Sequence, residues 1–199
     1  MRHFQKIATF DPAPLLHALM RQPKLWNADR IRTYHPQSAH RVVDDILLRY
    51  SQFEPGDDFV ERVCSEIASI NYPAMKALPE AFPIIFGLMA KVCGEHLGRV
   101  FISRMAPGIR IPLHSDRIPP AEEAFPNKTP PAVYFERYQL LLHAKPGVVF
   151  RADDGATDES VFMASGEIWW FNNCVPHEVI NNSDDDRISL VVDIRPFQP

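Results

Sequence analysis

Apolar and polar residues follow two different spacings along the chain, and the change falls near residue 98. In the first half, apolar residues recur at helical spacing in three stretches, 12–22, 57–70 and 84–97. Asp11 and Pro12 open the first stretch, and these residue types favour the N-cap and the first turn of a helix. The first half therefore predicts three helices, together with a strand over 41–50 that joins a sheet.

The second half predicts short strands separated by turn residues such as Pro107-Gly108 and Ser165-Gly166. The expected strands lie near 99–105, 109–114, 134–143, 147–151, 160–163, 167–171, 176–180 and 187–194. In the last strand apolar residues alternate, so that Ile188 and Leu190 share one face. Eight short strands with regular turns are typical of a double-sheet jelly roll.

The predicted fold class is therefore mainly β with N-terminal helices, built on a double-stranded β-helix (jelly roll, cupin-like). We expect residues 1–97 to form a helical and mixed N-terminal segment that packs on the core. Residues 98–199 should form that core, and the two parts together should make one compact domain. The proline-rich segment 117–132 follows Asp116 directly and predicts a loop that borders the candidate site described next.

Three residues from two distant strands carry the side chains of a metal site. His114 and Asp116, in the run IPLHSD, are two residues apart and therefore point to the same face of an extended chain. His177 opens a strand much later in the chain. Two histidines and one carboxylate form the facial triad of non-heme Fe(II) oxygenases, which leaves the other side of the metal open. The pattern favours such a site over a surface His–Asp pair.

Arg187 adds a candidate anion-binding group on the strand that follows His177, across the polar turn NNSDDD. The planar guanidinium of arginine can hold a carboxylate with two parallel hydrogen bonds. An arginine beside the metal would suit a dicarboxylic cosubstrate. An ordinary salt bridge to Glu178 or Asp186 is the alternative.

The run GEIWWFNNCVPHEVINNSDDDRISLVVDIRP resembles the C-terminal signature of the aspartyl/asparaginyl β-hydroxylase family of Fe(II)- and 2-oxoglutarate-dependent dioxygenases. The resemblance covers about residues 98–197. It implies that His177 is the distal iron ligand and that Arg187 binds the far carboxylate of 2-oxoglutarate. Some members lack the carboxylate ligand, whereas this chain keeps His114 and Asp116, which implies the three-ligand form.

The run RYQLLL at 137–142 resembles the family's Arg-x-His strand, whose side chains approach the other carboxylate of the cosubstrate. Arg137 and Gln139 share one face of a strand, as that role requires. Gln139 stands where the family has histidine. The resemblance thus implies that Arg187, Arg137 and Gln139 bind the cosubstrate, with no catalytic residue beyond these and the metal ligands.

The resemblance implies an enzyme that uses Fe(II) and 2-oxoglutarate to hydroxylate a C–H bond. The expected substrate is an aspartyl, asparaginyl or prolyl-type amino acid or peptide side chain, with dioxygen as co-reactant. The alternative is a cupin-like module that binds a metal or a small acid without oxidative turnover. Paired arginines at carboxylate-binding positions favour the enzyme.

The remaining histidines have more ordinary explanations. His143 ends an apolar strand at opposite parity to Arg137 and Gln139, which favours a structural role over metal binding. His35 and His40 either border the substrate pocket or lie in a solvated loop, and the loop is favoured.

The bulk composition is that of a soluble globular protein, with 46% hydrophobic and 23% charged residues among 199. A net charge of −4 disfavours a nucleic-acid partner, which needs a basic surface. No stretch reaches the roughly 20 apolar residues of a membrane helix, and the N-terminus carries no secretion signature. Three cysteines without CxxC spacing suit a reducing compartment. We therefore expect a cytoplasmic protein that binds neither nucleic acid nor membrane.

Overall fold

The structure is a computed structural model that describes residues 3–34, 38–52, 69–116 and 135–197. The predicted helix over 57–70 lies largely outside these residues, and the expected loop at 117–132 and His35 lie wholly outside them. Only Ser69 and Ile70 of that helix are described, and both belong to a strand.

The described residues form eleven strands and four α-helices. The strands are β1 (Phe4–Thr9), β2 (Asp44–Ser51), β3 (Ser69–Asn71), β4 (Gly94–Met105), β5 (Arg110–His114), β6 (Glu136–His143), β7 (Val148–Asp153), β8 (Asp158–Val161), β9 (Glu167–Phe171), β10 (His177–Asn181) and β11 (Arg187–Pro196). The helices are α1 (Ala13–Arg21), α2 (Ile31–Tyr34), α3 (Pro73–Ala77) and α4 (Ala81–Lys91). Among these helices none is both long and apolar enough to cross a lipid bilayer.

The strands form two antiparallel sheets. The larger sheet has the order β1-β9-β6-β11-β4-β2-β3, and the smaller has the order β5-β10-β7-β8. From β4 onward the chain passes back and forth between the sheets, which is the topology of a jelly roll. All eight strands predicted for the second half are present. Strands from both sides of residue 98 share the larger sheet, and the division into 1–97 and 98–199 stays a prediction.

The helix predicted over 84–97 is wrong in its last residues, because α4 ends at Lys91 and β4 already begins at Gly94. Between them Cys93 has a left-handed backbone, with φ 52°, and is exposed. A Cβ at Gly94 would lie 2.5 Å from Cγ2 of Ile194, so glycine permits the close approach of β4 to β11. Pairing with β11 overrides the local helical spacing, which is only a weak preference.

The central strands β6 and β11 of the larger sheet are buried on both faces, and the two faces differ in chemistry. Ile188, Leu190 and Val192 of β11 point to the face covered by the helices, where they join a cluster with Leu15 of α1 and Ile85 of α4. The opposite face looks toward the smaller sheet and carries the alternate residues of β11. The alternation predicted for the last strand is therefore confirmed, and the polar positions of that strand are directed into the space between the sheets.

A test of this arrangement compares two residues of α1. Leu15 is fully buried and Met20 is 78% exposed. We expect Leu15→Ala to lower the free energy of unfolding by about 2–5 kcal/mol, because it leaves a cavity under the larger sheet. Met20→Ala should change it by less than about 0.5 kcal/mol. Equilibrium denaturation measures both, and equal losses would mean that α1 does not cover the core.

Candidate metal centre

The first two candidate ligands face each other across paired strands. β5 and β10 are antiparallel neighbours, and His114 and His177 are direct Cα partners in their register. Side chains of directly opposed residues project from the same face of a sheet. The two imidazole rings accordingly lie with their centroids 4.5 Å apart. Strand register alone thus brings together two histidines that are far apart in the sequence.

Both imidazoles are hydrogen-bonded in a way that suits metal binding. Nδ1 of His114 lies 2.7 Å from the carbonyl oxygen of Pro112, and Nδ1 of His177 lies 2.9 Å from that of Val175. Since a carbonyl can only accept, each Nδ1 carries the proton and each Nε2 keeps a lone pair. Nε2 of His114 is buried and has no hydrogen-bond partner among the described residues. A buried unsatisfied lone pair of this kind fits a metal ligand.

Asp116 completes the cluster at the end of β5. Its Oδ1 lies 3.6 Å from Nε2 of His114, and its Oδ2 lies 3.3 Å from Nε2 of His177. Its backbone N–H donates to the carbonyl of Asn173, which ties this end of the chain to the turn before β10. The three residues that the sequence singled out therefore meet at one place.

The charge states of these groups also fit a divalent cation. Burial alone would raise the pKa of Asp116, but the guanidinium of Arg137 and the nearby imidazoles outweigh it and hold this pKa well below its ordinary value. Burial lowers the pKa of His114, although the Asp116 charge opposes the shift. At neutral pH the centre therefore offers an ionised carboxylate and a neutral imidazole, which are the metal-binding forms.

His40 is a further imidazole at this centre, so the solvated loop expected for it is wrong. Its ring packs edge-on against His114, with centroids 4.8 Å apart. Donor atoms of His40, His114 and Asp116 all lie within 4.8 Å of one another. Nδ1 of His40 is buried without a hydrogen-bond partner among the described residues. Burial, Arg32 and His114 lower its pKa well below the ordinary value. The turn that carries His40 has no periodicity, so the sequence offers no signal for this placement.

Arg187 is a buried cation with neutral partners. It is only 3% exposed, and burial lowers its pKa to about 10. Its Nη2 donates to Oε1 of Gln139 at 3.2 Å, and its Nη1 donates to the hydroxyl of Ser189 at 3.1 Å. No carboxylate of the described residues pairs with it, so the salt bridge to Glu178 or Asp186 does not form. A buried charge without a counter-ion is costly, and an anionic ligand would supply one.

Arg137 has a different environment from Arg187. Its Nε and Nη2 donate to the two carboxylate oxygens of Asp193, both at 2.7 Å, and its Nη1 lies 2.5 Å from Oδ2 of Asp116. Burial would lower the pKa of Arg137, but the two carboxylates raise it well above its ordinary value. The sequence placed Arg137 and Gln139 on one face of β6, and both side chains do point between the sheets.

Two phenylalanines form an apolar wall beside His177. The ring centroid of Phe171 lies 4.9 Å from that of His177, and the centroid of Phe150 lies at 5.9 Å. Phe171 belongs to the run IWWF, whose bulky side chains predict part of a dry wall, whereas no such run surrounds Phe150. Alternation in β7 puts Phe150 on the inner face, and this was the available signal.

His143 lies apart from the centre and pairs with Asp185 at 3.2 Å, as a structural histidine should.

The sequence matches the family model described as "Aspartyl/Asparaginyl beta-hydroxylase" over residues 67–196, which is more than half of the chain. This match begins about thirty residues before the region that carries the resemblance in the sequence. No curated protein matches the sequence.

Solved structures share the fold at low sequence identity. A Pseudomonas putida prolyl-4-hydroxylase is 20% identical, with a TM-score of 0.51, over 98% of this chain and 94% of that one. The viral collagen prolyl hydroxylase of Paramecium Bursaria Chlorella virus-1, in its 2OG complex, is 11% identical, with a TM-score of 0.52, over 98% and 97%. A 2OG-Fe(II) oxygenase family oxidoreductase from Burkholderia pseudomallei is 15% identical, with a TM-score of 0.51, over 76% of this chain and 65% of that one. These likenesses confirm the predicted double-stranded β-helix.

Metal titration distinguishes His177 from His40 as the second imidazole ligand. The Nδ1–H of His177 donates to a backbone carbonyl, and the strand that carries His177 pairs with the strand that carries His114. We therefore expect His177→Ala to weaken Co(II) binding at least about 100-fold. His40→Ala should keep one tight site. Calorimetry and the visible spectrum of bound Co(II) measure both.

His143→Ala is the matched control, because it removes a histidine that pairs with Asp185 outside the centre. It should bind Co(II) like the unmodified protein. Loss of binding in His40→Ala with retention in His177→Ala would assign the ligand set His40, His114 and Asp116 instead.

Proposed function

The chain belongs to the aspartyl/asparaginyl β-hydroxylase family, and on that premise we propose that it is an Fe(II)- and 2-oxoglutarate-dependent dioxygenase. In this proposal it hydroxylates a C–H bond of an aspartyl, asparaginyl or prolyl-type amino acid or peptide side chain. Enzyme class and cofactors agree with the expectation from the sequence. The identity of the substrate goes beyond what the fold and the cosubstrate determine, since enzymes with one fold and one cosubstrate act on many substrates.

One observation carries the proposal: a two-histidine, one-carboxylate cluster lies within the same fold as a buried arginine that lacks a counter-ion. His114, Asp116 and His177 would hold the iron, with both Nε2 lone pairs and the ionised carboxylate directed to one place. Such a facial set leaves coordination positions open. With 2-oxoglutarate and dioxygen bound, the iron supplies the oxidation of an unactivated C–H bond.

The protein's own residues bind, orient and exclude water. Arg187 would hold the far carboxylate of 2-oxoglutarate, because it is a buried guanidinium with only neutral partners. Gln139 fixes one nitrogen of Arg187 by accepting its hydrogen bond, and its own amide N–H groups are donors for an anion. Phe150 and Phe171 keep water from one side of His177. A dry pocket strengthens the attraction between Arg187 and the cosubstrate.

A prolyl side chain, in a free amino acid or in a peptide, is one candidate substrate in this proposal. Two of the structural relatives are prolyl hydroxylases by name, and the chain covers nearly their whole length. Their identities of 20% and 11% show the fold alone, so aspartyl and asparaginyl side chains, after which the family is named, stay in the proposal.

The alternative is a binding module of the same fold that holds a metal or a small acid without turnover. Arg187 disfavours the form of this module that binds a metal alone. A metal-only module gains nothing from a desolvated cation, whose burial costs free energy unless a carboxylate joins it. Turnover with dioxygen separates the two.

Cosubstrate binding tests the role of Arg187. Under anaerobic conditions, Fe(II) and 2-oxoglutarate together should give the weak visible charge-transfer band typical of this enzyme class, and His177→Ala should abolish it. Arg187→Met should raise the dissociation constant of 2-oxoglutarate by about 10- to 100-fold, since it removes charge-assisted hydrogen bonds of about 1.5–3 kcal/mol. Titration of the band gives this constant.

Arg195→Met is the matched control on the same strand, because Arg195 pairs with Glu95. It should leave the band and the dissociation constant unchanged. An Arg187→Met protein that binds 2-oxoglutarate normally would remove Arg187 from the proposal.

Turnover tests the enzyme itself. With dioxygen, Fe(II) and 2-oxoglutarate, the protein should form succinate slowly without substrate and faster with the right amino acid or peptide. A screen of free amino acids, peptides and cell lysate should show an oxygen-dependent gain of one oxygen atom by mass. Absence of succinate under every condition, with the charge-transfer band present, would favour the binding module.

A further inference from the structure

Arg137 joins the two sheets at the metal centre. We infer that Arg137, held by Asp193, positions the metal-binding carboxylate of Asp116 instead of binding the inner carboxylate of the cosubstrate. This inference rests on the proposed function, because Asp116 must be a metal ligand for its position to matter. It departs from the role that the resemblance to the family's Arg-x-His strand implies for this arginine.

All three nitrogens of the guanidinium already contact a carboxylate. Asp193 occupies the edge formed by Nε and Nη2 with two hydrogen bonds of 2.7 Å. Nη1 lies 2.5 Å from Oδ2 of Asp116. A carboxylate from a ligand that bound Arg137 through two nitrogens would compete there with Asp116, with Asp193 or with both. Displacing either of them would leave a buried carboxylate without its counter-ion.

Strand register explains why Arg137 is fixed so firmly. Arg137 on β6 and Asp193 on β11 are direct Cα partners in the larger sheet. Asp116 belongs to the other layer, because it follows the last residue of β5 in the smaller sheet. The contact of Arg137 with Asp116 therefore holds the Asp116 carboxylate, which lies beyond the end of β5, in a fixed position relative to the larger sheet. Groups that orient a metal ligand commonly set metal affinity.

The different contacts of Arg137 and Gln139 support the same conclusion. Gln139 lies two residues from Arg137 on the same face, and its Oε1 accepts from Arg187. One position of the Arg-x-Gln pair thus contacts the candidate cosubstrate arginine, and the other contacts the candidate metal carboxylate. Arg187 has neutral partners only, whereas Arg137 already has two carboxylates. Of these two arginines, Arg187 is therefore the one whose positive charge is available to an incoming anion.

Metal affinity measured without cosubstrate tests this inference. Arg137→Gln and Asp193→Asn should each weaken Co(II) binding by about 10- to 100-fold, the usual effect of losing a partner of a metal ligand. Arg137→Lys retains a buried cation and so protects the fold, but it cannot bridge two carboxylates with a planar fork. It should weaken binding less than Arg137→Gln does. The visible spectrum of bound Co(II) should also change, since the Asp116 carboxylate is held differently.

A double-mutant cycle identifies Asp116 as the residue through which Arg137 acts. In an Asp116→Asn background, Arg137→Gln should weaken Co(II) binding by less than about threefold further, because the carboxylate it positions is gone. Arg195→Met serves as the control arginine and should bind Co(II) normally.

The outcomes separate the inference from the function. Arg137→Gln or Arg137→Lys with normal Co(II) affinity and a raised dissociation constant for 2-oxoglutarate would overturn the inference while leaving the dioxygenase intact. Equal, additive losses in the cycle would also overturn it. An unmodified protein that binds neither Co(II) nor Fe(II) would overturn the proposed function and the inference with it.

Discussion

Pairing of β5 with β10, which places His177 opposite His114 beyond a register shift between His177 and Val179, is the constraint on which the candidate site depends. His114 and His177 meet because they are direct partners in that ladder. A slip of one residue would turn one imidazole to the outer face of the smaller sheet, since neighbouring side chains alternate. The hydrogen bond from the backbone of Asp116 to Asn173 closes the same end of the ladder. Backbone pairing between distant strands, more than any single side-chain contact, therefore brings the three candidate ligands together.

The larger sheet serves two purposes because its strands alternate. One face of β11 packs Leu190 and Val192 against the helices, and the opposite face presents Arg187 and Asp193 to the space between the sheets. Ile188, Leu190 and Val192 contribute to the core, and the polar residues between and beside them, Arg187, Ser189 and Asp193, contribute to the site. Stability and function are consequently built on the same strands, which places the charged groups on a rigid frame. Such a frame suits a metal centre, whose ligands tolerate little displacement.

The buried charged side chains of this site pair with one another, except for Arg187. Asp116, Arg137 and Asp193 form one connected group of two carboxylates and one guanidinium. That group retains a net negative charge, which suits a divalent cation. Arg187 lies apart from it with neutral partners, which suits an anion. The candidate site therefore has one half whose charge suits a cation and another half whose charge suits an anion, and these are the two charges that an iron ion and a dicarboxylic acid would bring.

Periodicity in the sequence determined the strands of the second half, the two faces of β11 and the spacing of His114 and Asp116, because each follows from local alternation. Residue type and position made His177 and Arg187 candidates, and the resemblance of the last strands to a known family implied their roles. Long-range pairing decided the rest. Long-range pairing makes residues 94–97 part of a strand, where the sequence pattern predicted a helix. Only the folded chain brought His40 beside His114 and joined Arg137 to Asp116 across two sheets, since contacts between distant segments depend on sheet order and register, which no local pattern encodes.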